Sequence, residues 1–503
     1  MMTLGTPLSL PQPLPSRSRR AAPPARLACS ALAMAGLLAL GACTALAPSQ
    51  PLNAPTSAKY LEAPPGWMAA APADTLTRGP WWTLFDDPVL NDLAPQVAVS
   101  NQNVAAAAAA VEESRAAVRE QRAAFFPTLS LNAGVTRSGV GGKSSSSSSS
   151  ATATSSTGNR YSLGLGASWE PDLWGRIANT VSAATATAQA SEADLASALL
   201  SAQTTFVTDY LSVREADAEI VTLKTTIVGY QRALTITQNR YNAAIAQKSD
   251  VLQAQTTLAN AQANLAALVQ QRAQFFHAMA VLAGQPPATF ALPAGDWHST
   301  TVPAIPTGLP SDLLQRRPDI ASAERHVAVA NANIGVARAA YFPSLTLSAD
   351  GSQGSTRLSD LFNASSFAWS LGLSLAETIF DGGARTARVD EARATWKQTV
   401  AQYRQTVLTA FSAVEDQLSA AVSLEQQQAQ LKVASQAADQ TEQELQNRYE
   451  QGINAYTDVV TAQATALAAR RALMQVSLSR QTAAISMVAA LGGGWSTQQM
   501  AAN

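Results

Sequence analysis

Two carboxylates, Asp250 and Asp458, stand in matching surroundings 208 residues apart. Each follows a hydroxyl residue, Ser249 or Thr457, just beyond a turn that ends a long helical segment. A carboxylate in the first turn of a helix pairs with backbone N–H groups and with the helix dipole, which contributes roughly 0.5–2 kcal/mol. Carboxylates collected from several chains around a narrow opening would instead favour cations. The two roles are compatible, and the sequence leaves both open.

The turns that precede these carboxylates resemble each other. They read Arg-Tyr-Asn-Ala-Ala-Ile from Arg240 and Arg-Tyr-Glu-Gln-Gly-Ile from Arg448. Gly452 suits the left-handed residue that ends a helix, whereas Ala244 holds the equivalent place in the first turn, which we therefore expect to close differently. The candidate functional residues of this region are Arg240, Asp250, Arg448, Gly452, Tyr456, Asp458 and Thr461.

No other group of residues suggests catalysis or metal binding. The three histidines, His277, His298 and His326, lie far apart, and no Walker-type loop, GxSxG or HExxH motif is present. Only two cysteines occur, and one precedes the expected mature N-terminus. Charged residues make up 14% of the chain and the net charge is -1, so nothing indicates a nucleic-acid partner. We expect no enzyme activity, no metal and no bound cofactor.

The N-terminus predicts export. Four arginines precede an apolar run over residues 27–40, which is typical of a signal peptide over residues 1–42. The run ends Leu-Gly-Ala-Cys43, which resembles the bacterial lipobox and implies that Cys43 carries a diacylglycerol and an N-palmitate. Two acyl chains anchor a protein stably. Because Thr44 rather than aspartate follows, the resemblance favours the outer membrane. An ordinary signal peptide with a chance cysteine is the alternative. Residues 43–80, rich in Pro and Ala, predict an extended arm.

An internal duplication positions the two turns. Apolar or aromatic residues recur at every seventh position in two series that differ by 216 residues: Val97, Val104, Val111, Val118 and Phe125, then Leu313, Ile320, Val327, Ile334 and Tyr341. Further along the offset becomes 208, because a loop with seven consecutive serines occurs in the first copy only. We therefore predict two repeats, 81–290 and 312–495, with a linker at 291–311 and a tail at 496–503.

Each repeat contains two predicted strands, near 128–137 and 160–170, then 344–350 and 367–377. Pro127 and Pro343 end the preceding helices, and alternating apolar and small polar residues follow. This alternation fits strands with lipid on one face and water on the other. A soluble sandwich is the alternative, but it needs more strands to cover both faces. Four strands cannot close a barrel and open edges are not tolerated in lipid, so two or three chains must combine.

Two long helices are predicted, over 176–243 and 385–451, each spanning about 100 Å at 1.5 Å per residue. The first carries an apolar residue at every seventh position: Leu199, Phe206, Val213, Ile220, Ile227, Leu234 and Tyr241. This spacing predicts a supercoil. The remaining surface is Ala, Gln, Ser and Thr, which could line a water-filled space. The alternative is a dimeric rod with a solvated outer surface.

Several motifs, in this order and spacing, resemble those of the TolC-like outer membrane factors, in particular the lipoprotein (NodT-type) branch. They are Trp-Trp-Thr-Leu-Phe-Asp-Asp from Trp81, Trp-Glu-Pro-Asp-Leu-Trp-Gly-Arg from Trp169, Arg-Pro-Asp-Ile from Arg317, Phe-Asp-Gly-Gly from Phe380 and the two Arg-Tyr turns. The resemblance implies a homotrimer with a twelve-stranded barrel and a periplasmic tunnel of twelve helices. The tunnel is closed at its tip and opens when an adaptor and an inner-membrane pump of RND or MFS type dock. Thr461 stands where some relatives carry a gate aspartate, so Asp458 is the gate candidate.

These observations predict a mostly helical protein with a membrane β-sheet and two repeats. The expected function is that of a passive outer-membrane duct for drugs and small toxic compounds delivered by a pump. A type I protein secretion channel and a non-conducting coiled-coil lipoprotein are the alternatives.

Overall fold

The computed structural model describes residue 61 and residues 80–139, 157–299, 301–303 and 316–493. The predicted signal peptide, Cys43 and the predicted tail lie outside these residues. From the predicted arm, the backbone N–H of Leu61 donates a hydrogen bond to Oε1 of Glu415, 2.7 Å away. At this residue the arm lies against the second long helix.

Helices and strands follow each other in the same order in both halves of the chain. In chain order they are α1 (Pro88–Ser100), α2 (Gln102–Ala123), β1 (Thr128–Gly139), β2 (Thr157–Trp169), α3 (Arg176–Asn242), α4 (Lys248–Leu282), α5 (Pro318–Ala339), β3 (Ser344–Ser355), β4 (Phe367–Ala376), α6 (Ala384–Glu450) and α7 (Tyr456–Ala490). A helix leads into a strand pair, then into a 67-residue helix and a 35-residue helix, in each half. The predicted duplication is present in the fold.

The helix-to-strand junctions are held by tryptophans. Both α2 and α5 stop a few residues before a proline, as the ring geometry requires. The indole N–H of Trp174 donates to the carbonyl oxygen of Pro343 (2.6 Å), and its ring stacks on Phe342 with 4.9 Å between ring centres. The indole N–H of Trp169 donates to the carbonyl oxygen of Phe125 (3.0 Å). Each indole therefore fixes the point where a helix becomes a strand.

The four described strands form one antiparallel sheet in the order β1-β2-β3-β4. The pairing of β2 with β3 joins the two repeats, while β1 and β4 each leave one edge unpaired within this chain. β3 extends to Ser355, beyond the predicted end at 350, because its polar last residues pair with β2 up to Tyr161 opposite Ser355. The predicted strand was too short because alternation of apolar residues stops before the backbone pairing does.

The long helices begin in the same way in both halves. Gly175 and Gly383 adopt positive φ angles of 78° and 94° immediately before α3 and α6, a conformation that glycine tolerates best. Just upstream, Asp172 accepts hydrogen bonds from the N–H groups of Ile177 and Ala178. Acidic residues are favourable there because the helix N-terminus carries partial positive charge. At 1.5 Å per residue, each long helix spans about 100 Å.

The seven-residue spacing corresponds to burial. Val97, Val104, Val111 and Val118 are buried, and so are Ile320, Val327 and Ile334, whereas Phe125 and Tyr341, the last member of each series, are exposed at the strand junction. Along α3, however, the most buried series is Ala216, Leu223, Tyr230 and Thr237. The predicted series is fully buried at Phe206 and Val213, half-buried from Ile220 to Leu234 and exposed at Tyr241. It forms the neighbouring row of the same seam, three residues away, as expected where two rows alternate.

The largest apolar core lies where the short N-terminal elements pack on α3. Trp81, Trp82 and Phe85 contribute their rings, together with Phe206 and Tyr210 of α3. The Tyr210 hydroxyl is hydrogen-bonded to Oδ2 of Asp87 (2.5 Å). Within the described residues, none of the helices combines the length and the hydropathy needed to cross a membrane.

Candidate functional site

The two predicted turns lie together at one end of the helical hairpins, and aromatic packing joins them. Tyr449, at the end of α6, and Tyr456, at the start of α7, have ring centres 5.3 Å apart, and both are 3% exposed. They pack with Ala233 of α3 and Ala254 of α4 in one apolar cluster. We call this region, residues 233–254 and 445–461, the tip. Both hairpins therefore contribute side chains to one shared apolar cluster at the tip.

Arg240 connects the first turn to the second. Its Nη1 donates to the backbone carbonyl oxygen of Tyr449 (2.6 Å), and its guanidinium carbon lies 4.6 Å from the centre of the Tyr449 ring. The Tyr449 hydroxyl also lies 3.1 Å from Oγ1 of Thr237, at a fully buried position. Tyr449 is thus held by three contacts: a charged hydrogen bond, a cation–π contact and a buried polar contact.

Arg448, the equivalent of Arg240 in the second repeat, does not make such contacts. It is exposed and lies 3.8 Å from Glu444 on its own helix. An exposed pair at this distance contributes little to stability. The two candidate arginines therefore differ in role although their sequence surroundings match.

Both turns close with the same backbone pattern, contrary to the expectation for Ala244. The N–H of Ile245 donates to the carbonyl oxygen of Arg240 (2.8 Å), and the N–H of Ile453 donates to that of Arg448 (2.9 Å). This is the bonding of a Schellman motif. Ala244 adopts φ 60° and Gly452 φ 81°. The backbone bonds of the turn hold alanine in the left-handed region, where a Cβ atom costs about 1–2 kcal/mol.

The two carboxylates occupy the first turns of α4 and α7 but differ in their contacts. Asp250 is half-buried, and its Oδ2 accepts a hydrogen bond from the N–H of Gln247 (3.3 Å). Asp458 is exposed and forms no side-chain hydrogen bond or ion pair with the part of this chain that the structure describes. Thr461 is exposed, and its hydroxyl donates to the carbonyl oxygen of Thr457 (2.9 Å). Asp250 thus acts as a helix-terminal acceptor, and Asp458 stays available for contacts outside the chain.

Burial raises the pKa of Tyr456 to about 12, with smaller contributions from Tyr449, Tyr230 and the carboxylate of Asp250. The phenol is therefore neutral at any physiological pH. The guanidinium group of Arg240 packs beside it, against the ring of Tyr449.

Tyr449 and Thr237 are central to the tip but were not among the candidate residues. The repeat offset places Tyr241 at the position equivalent to Tyr449, yet Tyr241 is 39% exposed and Tyr449 is 3% exposed. Both tyrosines follow an arginine in the turn. The partners of Tyr449 differ between the repeats, because Thr237 and Tyr456 have Leu445 and Lys248 at the equivalent positions.

A second polar cluster, which the sequence analysis did not single out, joins the hairpins above the tip. Arg471 of α7 forms an ion pair with the buried carboxylate of Glu219 on α3. Glu215, one turn earlier and 7% exposed, has a buried Oε1 with no hydrogen-bond partner in the described residues. Burial, reinforced by the neighbouring charge of Glu219, raises the pKa of Glu215 to about 7. We call Glu215, Glu219 and Arg471 the seam cluster.

Within the described ranges, no group of histidine, cysteine and acidic side chains has the arrangement of a metal site. The predicted lipid on Cys43 falls outside those ranges and stays a prediction.

Comparison with known proteins gives a consistent match. The family model described as outer membrane efflux protein matches residues 93–285 and 309–493, which correspond to the two repeats. The chain is 31% identical over 474 residues to the pyoverdine export outer membrane protein OpmQ of Pseudomonas aeruginosa, covering 93% of this chain and 98% of that protein. It is also 31% identical over 467 residues to the toluene efflux pump outer membrane protein TtgC of Pseudomonas putida, covering 92% and 95%.

Among solved structures, the outer-membrane channel OprN has 28% sequence identity and a TM-score of 0.79, covering 90% of this chain and 99% of that one. At this coverage the match includes both repeats. It confirms the predicted fold class, a mostly helical channel subunit built from two repeats whose strands enter a shared barrel.

Proposed function

This chain belongs to the outer membrane efflux protein family, so it is an outer-membrane efflux channel, and we propose that three copies form the exit duct of a tripartite pump. The main support is the sheet with two unpaired edges, from which two 67-residue helices continue. Four strands fall short of the roughly eight that a closed barrel requires, whereas three copies supply twelve. Six long helices and their six shorter partners then surround a tunnel below the barrel.

We propose that the transported compounds are small toxic organic molecules, selected mainly by the pump. Two relatives equally similar to this chain, at 31% identity, are named for chemically unlike compounds, pyoverdine and toluene. A duct whose long helices present Ala, Gln, Ser and Thr offers few specific contacts to any of them. The proposed partners are therefore a periplasmic adaptor and an inner-membrane pump of RND or MFS type.

We propose that the tip is the gate. In this proposal Arg240 and the two tyrosines keep the hairpins together when the duct is closed, and the three copies of Asp458 surround the narrow end. The exposure of Asp458 and its lack of a partner within the described chain support this role. Asp250 contributes through its helix N-terminus. The diacylglycerol and N-palmitate proposed on Cys43 would anchor the chain beside the barrel, and mass spectrometry of the mature N-terminus tests this modification.

The test combines transport with conductance. The chain is expressed, with an adaptor and pump encoded near its gene, in a strain that lacks its own outer-membrane component, and drug sensitivity is measured. The purified protein is then placed in planar bilayers. We expect restored drug resistance and a low basal current. A protein that gives no current, even after Asp250→Ala and Asp458→Ala together, would be the non-conducting rod.

The double change also tests the gate. We expect it to raise the basal current, because it removes the carboxylates at the proposed constriction. Asp92→Ala is the control, since Asp92 is an exposed acid on α1, away from the tip. If the double variant leaves the current unchanged while it weakens folding, the carboxylates only cap their helices.

A further inference from the structure

The sheet has one polar and one apolar face, and the polar face carries two opposite charges. The pairing register aligns Ser130, Gly166, Asp350 and Ser370 in one row across all four strands. Along the four strands, the other residues on this face are mostly glycine and small polar residues. The opposite face carries exposed leucines and aromatic residues such as Trp369 and Leu371. Since an unpaired carboxylate at mid-strand is costly in lipid, the face with Asp350 must be the one in contact with water.

Glycine makes room for the carboxylate. A Cβ atom at Gly166 would come within 2.9 Å of Oδ1 of Asp350 and within 3.2 Å of Oγ of Ser130. The carboxylate of Asp350 therefore lies over the backbone of β2, close to the surface of the sheet. It is the one acidic residue of the four described strands, and the structure gives it no ion pair within the described chain.

Arg160 lies on the same polar face, nearer the hairpin end of β2. It pairs with Thr136, and its Nη2 lies 3.5 Å from the position that a Cβ of Gly354 would occupy. Gly354 is four residues along β3 from Asp350, a separation of roughly 13 Å at about 3.3 Å per residue. The two charges therefore lie at different heights and are not paired with each other.

We propose that Asp350 and Arg160 determine how the barrel lumen discriminates between ions, by forming two rings of opposite charge at two heights. This inference rests on the proposed trimer. Twelve strands about 4.8 Å apart and tilted by about 40° enclose a cylinder with a radius of about 12 Å. Each ring is then about one Debye length from the axis at 0.1 M salt, so its field is felt there but is weak. A solute with net charge of either sign meets one repulsive ring, whereas neutral and zwitterionic compounds meet no net barrier.

The experiment measures the ratio of K⁺ to Cl⁻ permeability from reversal potentials of the purified trimer in a KCl gradient. We expect Asp350→Asn to lower the ratio and Arg160→Gln to raise it, each about twofold, with a larger change as salt is diluted. The double variant is expected to return close to the parent value. The same set in an Asp458→Asn background separates these rings from the tip carboxylates.

Arg137→Gln is the matched control. Arg137 lies next to Arg160 in height, since it pairs with Asn159, but it belongs to the apolar face with Leu129 and Val135. Its removal takes away the same charge and is expected to leave the ratio unchanged. Equal ratios in the parent and in both polar-face variants, or an equal shift in the Arg137 variant, would overturn the inference while the conduit stands. A complete lack of current in every variant would overturn the proposed function as well.

Discussion

The two turns at the tip have the same backbone closure but differ in the burial of their tyrosines and in the contacts of their arginines. In the second turn, Tyr449 is buried beneath Arg240 of the first turn. In the first turn, the equivalent Tyr241 is exposed, and the equivalent Arg448 contacts only its own helix. Within this chain, the contact is therefore made in one direction only: an arginine of the first hairpin binds a tyrosine of the second. Within one chain, separating the two hairpins at the tip would have to break this contact.

Elsewhere the duplication does preserve a contact. Arg272 of α4 pairs with Asp217 of α3 at 2.6 Å, and 208 residues later Arg480 of α7 pairs with Glu425 of α6 at 3.4 Å. Each pair joins the long helix and the shorter helix of one hairpin. This ion pair is repeated in both hairpins, whereas the contact between Arg240 and Tyr449 is not.

The seam cluster is another contact between the hairpins that the duplication does not repeat. The positions equivalent to Glu215 and Glu219 are Ser423 and Gln427, so the second hairpin has no counterpart of these acids. Glu219 instead pairs across the hairpins with Arg471. The asymmetry of the molecule is therefore concentrated where α3 meets α7, and the predictions below test it from the largest expected effect to the smallest.

The two arginines of the turns should differ most. Arg240→Ala removes a charged hydrogen bond and a cation–π contact, and we expect it to lower the local stability of the tip by about 2–4 kcal/mol. Arg448→Ala should cost about 0.5 kcal/mol or less, because its pair is exposed. Amide exchange of the tip residues and the basal current measure the difference. Similar effects from the two substitutions would contradict the inferred difference between the contacts of Arg240 and Arg448.

The seam cluster should make the contact between the hairpins sensitive to pH. The pKa of Glu215 is raised from 4.5 to about 7, so the folded state binds a proton more tightly than the unfolded state. Stability is therefore expected to fall as pH rises from about 4.5 to about 7 and to stay lower above that, by roughly 3 kcal/mol in total. Amide exchange in α3 and α7, corrected for the intrinsic rate, measures this at several pH values.

Glu215→Gln is the control for that pH effect. The amide has the size of the acid but does not titrate, so the pH dependence of the exchange should largely disappear. Persistence of the full dependence in this variant would assign it to another group.

The two closing residues of the turns offer a reciprocal test. Ala244→Gly should stabilise the first turn by up to about 1 kcal/mol, because glycine tolerates the left-handed region. Gly452→Ala should destabilise the second turn by about the same amount, since its Cβ would have room, 3.6 Å from Nη2 of Arg240, but would be strained. Thermal unfolding of the detergent-solubilised protein measures both. A loss of stability in the first variant would show that the turn depends on the alanine methyl group.

The smallest difference is expected between the repeated ion pairs. Arg272→Ala should cost about 0.5–1 kcal/mol, and Arg480→Ala somewhat less, because its carboxylate partner is more distant and more exposed. The same unfolding experiment, repeated at high salt, should bring the two values together. A larger cost for Arg480→Ala would point instead to its second contact, the hydrogen bond to Gln428.

Much of the fold could be predicted from local chemistry. The helices before Pro127 and Pro343 end a few residues ahead of each proline, and the seven-residue spacing identifies buried rows without knowledge of the partner. The end of β3 could not be predicted in this way. Its residues from Gly351 to Ser355 are small and polar, and they are held as a strand by pairing with β2 rather than by burial.

The tip shows the same limit at the level of single side chains. The candidate residues Arg240, Asp250, Tyr456 and Asp458 all lie in the tip, because sequence position alone places them at the ends of the hairpins. The burial of Tyr449 and its contact with Arg240 were not predicted, because they depend on Thr237 and Tyr456, which only the folding of distant segments brings to this tyrosine.

The amino-acid sequence by itself determined the duplication, the lengths of the helices, the positions of the strands and the amphipathic faces, because each of these depends on residues close together in the chain. Only the tertiary structure decided that Arg240 holds Tyr449, that Oε1 of Glu215 is buried with no hydrogen-bond partner in the described residues and that Ala244 adopts the left-handed region. These features arise where one hairpin packs against the other, and packing between distant segments selects one of two locally equivalent copies.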